Sequence, residues 1–286
     1  WIMMIESLRA LQIDPATRTI LLVSKPPAKE VAEAVIEQAL ASHKPAVICF
    51  LGAKRKAIGT PGVIPASTLE LAAAVAAEVA LGGDPAAARK ALKKRDKRLK
   101  SDAYKLHARL GKEQRYLRGL FSGGTFCYET QAILRKMLPE VTILSNAPID
   151  KDNQLRDSAV SQGHCVIDLG EDEFTQGRLH PMLDPTLRNR RIIQEVHDPE
   201  TAVILLYIVL GFGVHPDPAG AAVEAIRDAQ AYLADQGRTV LFVAHVCGTE
   251  RDPQNLRAQE ARLREAGVIV LPTNAAASRL AGFILA

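Results

Sequence analysis

From residue 117 to residue 285, short apolar runs alternate with helical stretches five times in succession, and this rhythm restricts the fold more than any single residue does. Residues 117–122, 165–169, 203–210, 239–246 and 268–271 read as strands. Residues 125–137, 185–196, 218–234, 253–266 and 274–285 read as helices. Continuous apolar runs, without in–out alternation, belong to strands covered on both faces, and strands separated by helices form parallel sheets. The expectation is a five-stranded flavodoxin-like α/β domain over residues 116–286. The first half repeats the pattern on a smaller scale. Strands are expected at 18–24 and 45–51, and helices at 2–11, 28–41 and 68–81, the last with Ser67 as N-cap. Pro26 and Pro27 are expected to start the second of these helices. Residues 1–84 thus form a second, incomplete α/β unit. The opening on Trp1 within a helical stretch suggests a fragment of a longer chain.

Composition excludes several classes. At 48% hydrophobic and 24% charged, the 286 residues suit an ordinary globular protein. Four scattered Cys without a CxxC spacing argue against structural zinc and for a reducing, cytoplasmic setting. No apolar run approaches the length of a membrane span. The net charge of +4 hides a local excess. Residues 85–118 carry 13 Lys or Arg against 3 Asp or Glu. A basic helix is expected up to Leu99, with Leu106, Leu110 and Leu117 continuing an apolar side. Residues 85–115 form a basic helical linker, either solvated or facing an anionic partner. With 5% aromatics and no recognition motif, nucleic acid is not expected as a partner.

Ligands of open parallel sheets bind beyond the carboxyl ends of the strands. Four junctions there carry candidate residues. Ser122, Gly123, Gly124 and Thr125 lead straight into a helix. Gly211 and Gly213 precede another, and Gly248, Thr249 and Arg251 a third. Helix N-termini offer free N–H groups and partial positive charge, so three converging on one edge make a phosphate or carboxylate site. The long junction at 171–184 adds Arg178 and His180, with Arg188 just beyond. The arginines suit a bidentate clamp, His180 suits proton transfer, and Asp184 suits a helix cap. His215 and His245 end strands near the same edge and read as structural. His43, His107, His164 and His197 fit no site. In the first half, Lys25 at a strand–helix junction is a further anion ligand. None of the loops is a Walker A motif or a full GxGxxG, and no metal site is read.

The strings SKPPAKEV, GLFSGGTFCYE, IDLGEDEFTQGRLHPMLDPTLRN, GFGVHPDPAG and GTERDPQ resemble the FdrA family, relatives of the succinyl-CoA synthetase (NDP-forming acyl-CoA ligase) superfamily. The resemblance implies two succinyl-CoA synthetase-like domains. One is like the second domain of the α subunit and the other like the C-terminal domain of the β subunit. A CoA-binding domain would precede them. It also implies that Pro26-Pro27 and Gly123-Gly124-Thr125 open the two helices that point at a phosphohistidine. Residues 52–62 stand where that histidine belongs and contain none; Lys54, Arg55 and Lys56 offer positive charge instead. The resemblance points to carbamoyl transfer between carbamoyl phosphate and oxamate in purine (allantoin) catabolism, performed with other subunits or as a homodimer. His180 and Arg178 are then the catalytic candidates. The alternatives are an acyl-CoA ligase component, with CoA as its cofactor, and a non-catalytic scaffold.

Overall fold

The computed structural model describes every residue except Trp1, residues 54–57 and Gly59. It divides into two compact units, Trp1–Lys97 and Arg98–Ala286. Both are parallel α/β structures, the class expected from the alternation.

In the first unit, strands β1 (Ile20–Ser24), β2 (Ala46–Phe50) and β3 (Val63–Pro65) form a parallel sheet in the order β1-β2-β3. Central β2 is buried along its whole length. Helices α1 (Ile2–Ile13) and α2 (Lys29–Leu40) cover one face through Leu8, Val35 and Ile36, which pack against Ile20, Ile48 and Phe50. Helix α3 (Leu69–Ala80) packs on β1 and β2. Its cap is Thr68, not Ser67: Thr68 has extended φ and ψ, and its hydroxyl accepts the Leu71 N–H at 3.2 Å. Pro26 and Pro27 precede α2 without starting it, since the first helical residue is Lys29. Strand β3 is three residues long, too short to show a period.

Helix α4 (Pro85–His107) runs eight residues beyond Leu99, because Leu99, Ala103 and Leu106 recur at helical spacing and pack into the second unit's core. On its earlier turns Arg95 makes a bidentate pair with Glu70.

The second unit holds six strands rather than five: β4 (Tyr116–Phe121), β5 (Ile143–Leu144), β6 (His164–Asp168), β7 (Thr201–Val209), β8 (Leu241–Cys247) and β9 (Ile269–Leu271). Their order is β5-β6-β4-β7-β8-β9, all parallel. Two-residue β5 gave no signal in the sequence. Helices α5 (Gly124–Met137) and α10 (Asn274–Leu285) pack on one face. Helices α7 (Thr186–His197), α8 (Pro218–Asp235) and α9 (Leu256–Glu265) pack on the other, with one-turn α6 (Asp172–Thr175) before them. The chain therefore leaves β4 toward one face and β7 toward the other. Adjacent strands whose following helices diverge open a crevice at their carboxyl ends, and this is the topological switch point.

The opposite edge is closed by charge. Arg118 of β4 lies 3.0 Å from Glu195 and pairs with Asp198. Arg191 donates to Glu195 at 2.7 Å, and the Ser161 hydroxyl does so at 2.6 Å.

Candidate functional site

Five helices of more than one turn begin near the carboxyl edge of the larger sheet, and four have a first-turn N–H accepted by the protein's own oxygens, α10 through the Thr273 hydroxyl, which accepts the Ala276 N–H. Asp184 accepts the Thr186 N–H at 3.0 Å at the start of α7. Hydrogen bonds from the Thr186 hydroxyl and N–H hold the Asp184 carboxyl below its usual range. Asp217 accepts the Gly220 N–H at 3.1 Å at the start of α8, while Gln259 accepts the Ala219 N–H at 2.8 Å. Burial works against the Asp217 charge, yet Gln259, Gly220 and Arg262 together keep its carboxyl low. Helix α9 starts at Leu256 rather than at 253, and Asn255, at φ 58°, accepts the Ala258 N–H. Three converging, open helix ends are therefore not present. Among the described residues, α5 is the one helix of more than one turn at this edge whose first N–H groups meet no side-chain oxygen; it begins at Gly123.

Directly before that uncapped start lies Ser122, 2% exposed. Its hydroxyl has no hydrogen-bond partner among the described residues. It borders a cavity lined also by Pro181, Met182, Arg188, Tyr207, His215 and Pro218. The cavity holds about 10 Å³ of open space, room for about one water. The lining follows from the switch point: Ser122 directly follows β4, Tyr207 is near the end of β7, and His215 lies in the loop after β7. Arg188 stands in the first turn of α7, 3% exposed. It donates to Asn189 Oδ1 and to the Pro218 carbonyl, each at 3.3 Å. Among the described residues it has no carboxylate partner. Burial alone lowers it to about 10. Burial, then neighbouring Cys247, pushes the Tyr207 phenol up, so it is a donor and not an anion. The Pro181–Met182 stretch is tied over the cavity by the His215 N–H, which donates to the Met182 carbonyl at 2.8 Å.

The remaining expected residues lie elsewhere. Gly123 and Gly124 form the start of α5, with Thr125 exposed beside them. Gly211 and Gly213 have φ of 141° and 73° and carry the turn of the loop after β7. Phe212 between them is 87% exposed. Gly248 is required for packing, since a Cβ there would meet the Leu210 side chain at 2.6 Å. The Thr249 N–H is accepted by Asp252 and the Arg251 N–H by the Thr249 hydroxyl, so that loop's donors are engaged within the loop. The Arg251 side chain is exposed. His180 accepts the Met182 N–H at its Nδ1, and its Nε2 lies over Gly170, beside Asp168. Arg178 is exposed, and neither it nor His180 lines the cavity. Lys25 is an exposed residue of the first unit. Lys54, Arg55 and Lys56 fall outside the described residues.

Sequence reasoning weighed Arg188 as a clamp and His215 as structural, and passed over Tyr207. A phenol inside an otherwise aliphatic strand was the available signal. Among the described residues no cluster of three or more His, Cys, Asp or Glu is arranged for a metal ion, and no helix is long and apolar enough to cross a membrane.

Comparison with known proteins bears on this same region. The chain is 38% identical over 278 residues to "Uncharacterized protein YahF" of Escherichia coli (strain K12), covering 94% of this chain and 51% of that protein. It thus spans about half the length of that relative. A crystal structure of PH0766 from Pyrococcus horikoshii OT3 aligns over 98% of this chain and 54% of that one, at 14% identity and a TM-score of 0.38. The sequence profile of the CoA-ligases matches residues 120–284, which include Ser122, Arg188 and His215. That stretch is more than half of the chain, and the protein belongs to the CoA-ligase family.

Proposed function

We propose that the second unit is the anion-handling part of an acyl-CoA ligase-like enzyme, holding an oxygen of a carboxylate or acyl phosphate at Ser122, Arg188 and the open start of α5. One observation carries the reading: a buried guanidinium and a buried hydroxyl sit on the same small cavity, and among the described residues the first has no carboxylate and the second no hydrogen-bond partner. Burying an unmatched charge costs several kcal/mol in real proteins, roughly, and an unmade buried hydrogen bond about 1–3 kcal/mol. An anionic oxygen in the cavity offsets both. A helix N-terminus adds its N–H groups and partial charge.

The space restricts what binds here. A single oxygen fits, so the rest of the anion lies outward, past Met182 and Pro181, which must shift to admit it. CoA does not fit this cavity. With no histidine in residues 52–62, this reading needs no phosphohistidine in that loop. The FdrA resemblance adds a finer possibility for the same donors. Carbamoyl phosphate is an acyl phosphate, and oxamate is a small carboxylate. Partner subunits, or a second copy, would supply the remainder of such a reaction.

The test is the thermal midpoint of the chain with phosphate, acetyl phosphate, carbamoyl phosphate, oxamate or CoA. A ligand at 100 times its Kd adds about 2.7 kcal/mol to the native state. Upward shifts with the phosphates, lost in Arg188→Met, are expected. A shift with carbamoyl phosphate well beyond that with acetyl phosphate favours the transferase form. A shift with CoA alone, kept in Arg188→Met, overturns the reading.

A further inference from the structure

His215 completes the cavity, and one hydrogen bond settles which of its ring nitrogens carries hydrogen. Its Nδ1 accepts the Asp217 N–H at 3.0 Å. A backbone N–H can only donate, so the lone pair is at Nδ1 and the hydrogen at Nε2. The Nδ1 edge is turned to the start of α8, and His215 lines the cavity together with Ser122 and Arg188. The cavity admits about one water, so an oxygen placed there is enclosed by these lining residues.

We propose that His215 is a donor of this pocket, its Nε2–H directed at the bound oxygen, and that it acts neither as base nor as phosphoryl acceptor. This rests on the anion reading of the cavity. Nε2 keeps its hydrogen in either charge state, because a second proton would go to Nδ1. Attack on phosphorus requires a lone pair at the attacking nitrogen, and Nε2 has none to offer. His180 shows the same bond from the Met182 N–H to Nδ1, at 3.2 Å, but its Nε2 lies over Gly170 outside the cavity. Of the two histidines, His215 alone couples the Nε2–H form to the pocket.

Calorimetric titration with inorganic phosphate separates the possibilities, using the wild-type chain, Arg188→Met, His215→Gln and His215→Asn. A glutamine amide reaches the place of Nε2; an asparagine amide reaches only that of Nδ1. His215→Gln is expected to stay within about threefold of wild type, and His215→Asn to weaken binding about tenfold or more. Equal affinities for the two variants, with Arg188→Met still weak, overturn the donor role and leave the anion reading standing. Unchanged affinity in Arg188→Met, or no binding by wild type, removes both. Nitrogen-15 spectra of the wild-type ring need no variant. Hydrogen at Nε2, with its proton resonance moving on phosphate addition, supports the proposal. Hydrogen at Nδ1, or a phosphorylated His215 after incubation with acetyl phosphate, overturns it.

Discussion

Two arginines of the larger unit are almost equally buried, and opposite ends of one helix decide their circumstances. Arg118 is 2% exposed and meets Glu195 and Asp198 at and beyond the last turn of α7. Arg188 is 3% exposed in the first turn of the same helix and meets only amide and carbonyl oxygens. Both guanidiniums lose their hydration. Only the first recovers it through matched charge, so the first cross-links the amino edge of the sheet. The second stores unmet demand at the carboxyl edge, where ligands bind. Burial of charge therefore does not mark a site; burial without a counter-charge does.

The largest effect should come from breaking the matched end. Glu195→Ala leaves the Arg118 and Arg191 guanidiniums buried with much of their charge unpaired. It should lower stability by about 3–5 kcal/mol, read as a shifted midpoint in urea at unchanged slope. A loss below about 1 kcal/mol would mean that water or Asp198 already serves both arginines, and the contrast between the two ends would fail.

The same operation at the other end should have the opposite sign. Arg188→Met removes an unmatched charge and three long hydrogen bonds while keeping the apolar stem. Stability should hold or rise, by about 1 kcal/mol. Stabilisation by phosphate should disappear at the same time. A clear fall in stability would show that Asn189 and the Pro218 carbonyl satisfy the guanidinium, and the cavity would lose its claim on an anion.

A third, smaller effect tests the matched end through pH. Burial, then the Arg118 charge, pulls half-buried His164 from 6.5 down to about 4. The unfolded chain thus takes up this proton before the folded one does. Its contribution to stability is complete above about pH 6.5 and declines as pH falls toward 4, by at most about 1.4 kcal/mol per unit. Carboxylates titrate in the lower part of that window, so the quantity to measure is the difference between wild type and His164→Gln. The variant should flatten the decline from pH 6.5 downward. Parallel curves would put His164 in contact with water and away from the Arg118 charge.

The sheet could be read from the chain because Val203–Leu206 and Leu241–Ala244 stay apolar at every position, and only a strand covered on both faces requires that. Strands β3 and β5 escaped because two or three residues have no period. The helix starts were harder for a different reason. A Gly-rich turn has the same sequence whether its N–H groups are open or engaged. The cap on α8 is visible as Asp217, yet its hold by Gln259 and Arg262 comes from 40 or more residues away. Arg118 and Arg188 are likewise indistinguishable in sequence, whereas Arg191 has Glu195 four residues on in its own helix. Only the fold brings that acid to Arg118 and, among the described residues, none to Arg188. The carbamoyl-transfer reading came from resemblance alone, and the match to CoA-ligases moves the weight to the acyl-CoA ligase reading that stood beside it.

The smallest effect concerns Arg178, the arginine that sequence reasoning placed closest to the chemistry. Its backbone N–H bonds to the Thr175 carbonyl, and its side chain is exposed without an ion pair among the described residues. In water its charge acts at high dielectric and is screened within about 8 Å at physiological salt. Arg178→Ala should therefore change stability by less than about 0.5 kcal/mol. It should change phosphate affinity by less than about threefold, and that remnant should vanish at high salt, where Arg188→Met still abolishes binding. A tenfold loss that survives high salt would have a different meaning. The 171–184 loop would then fold Arg178 onto the bound anion as Met182 and Pro181 give way, and the arginine that matters at this edge would be the one that becomes buried on binding, beside the one that already is.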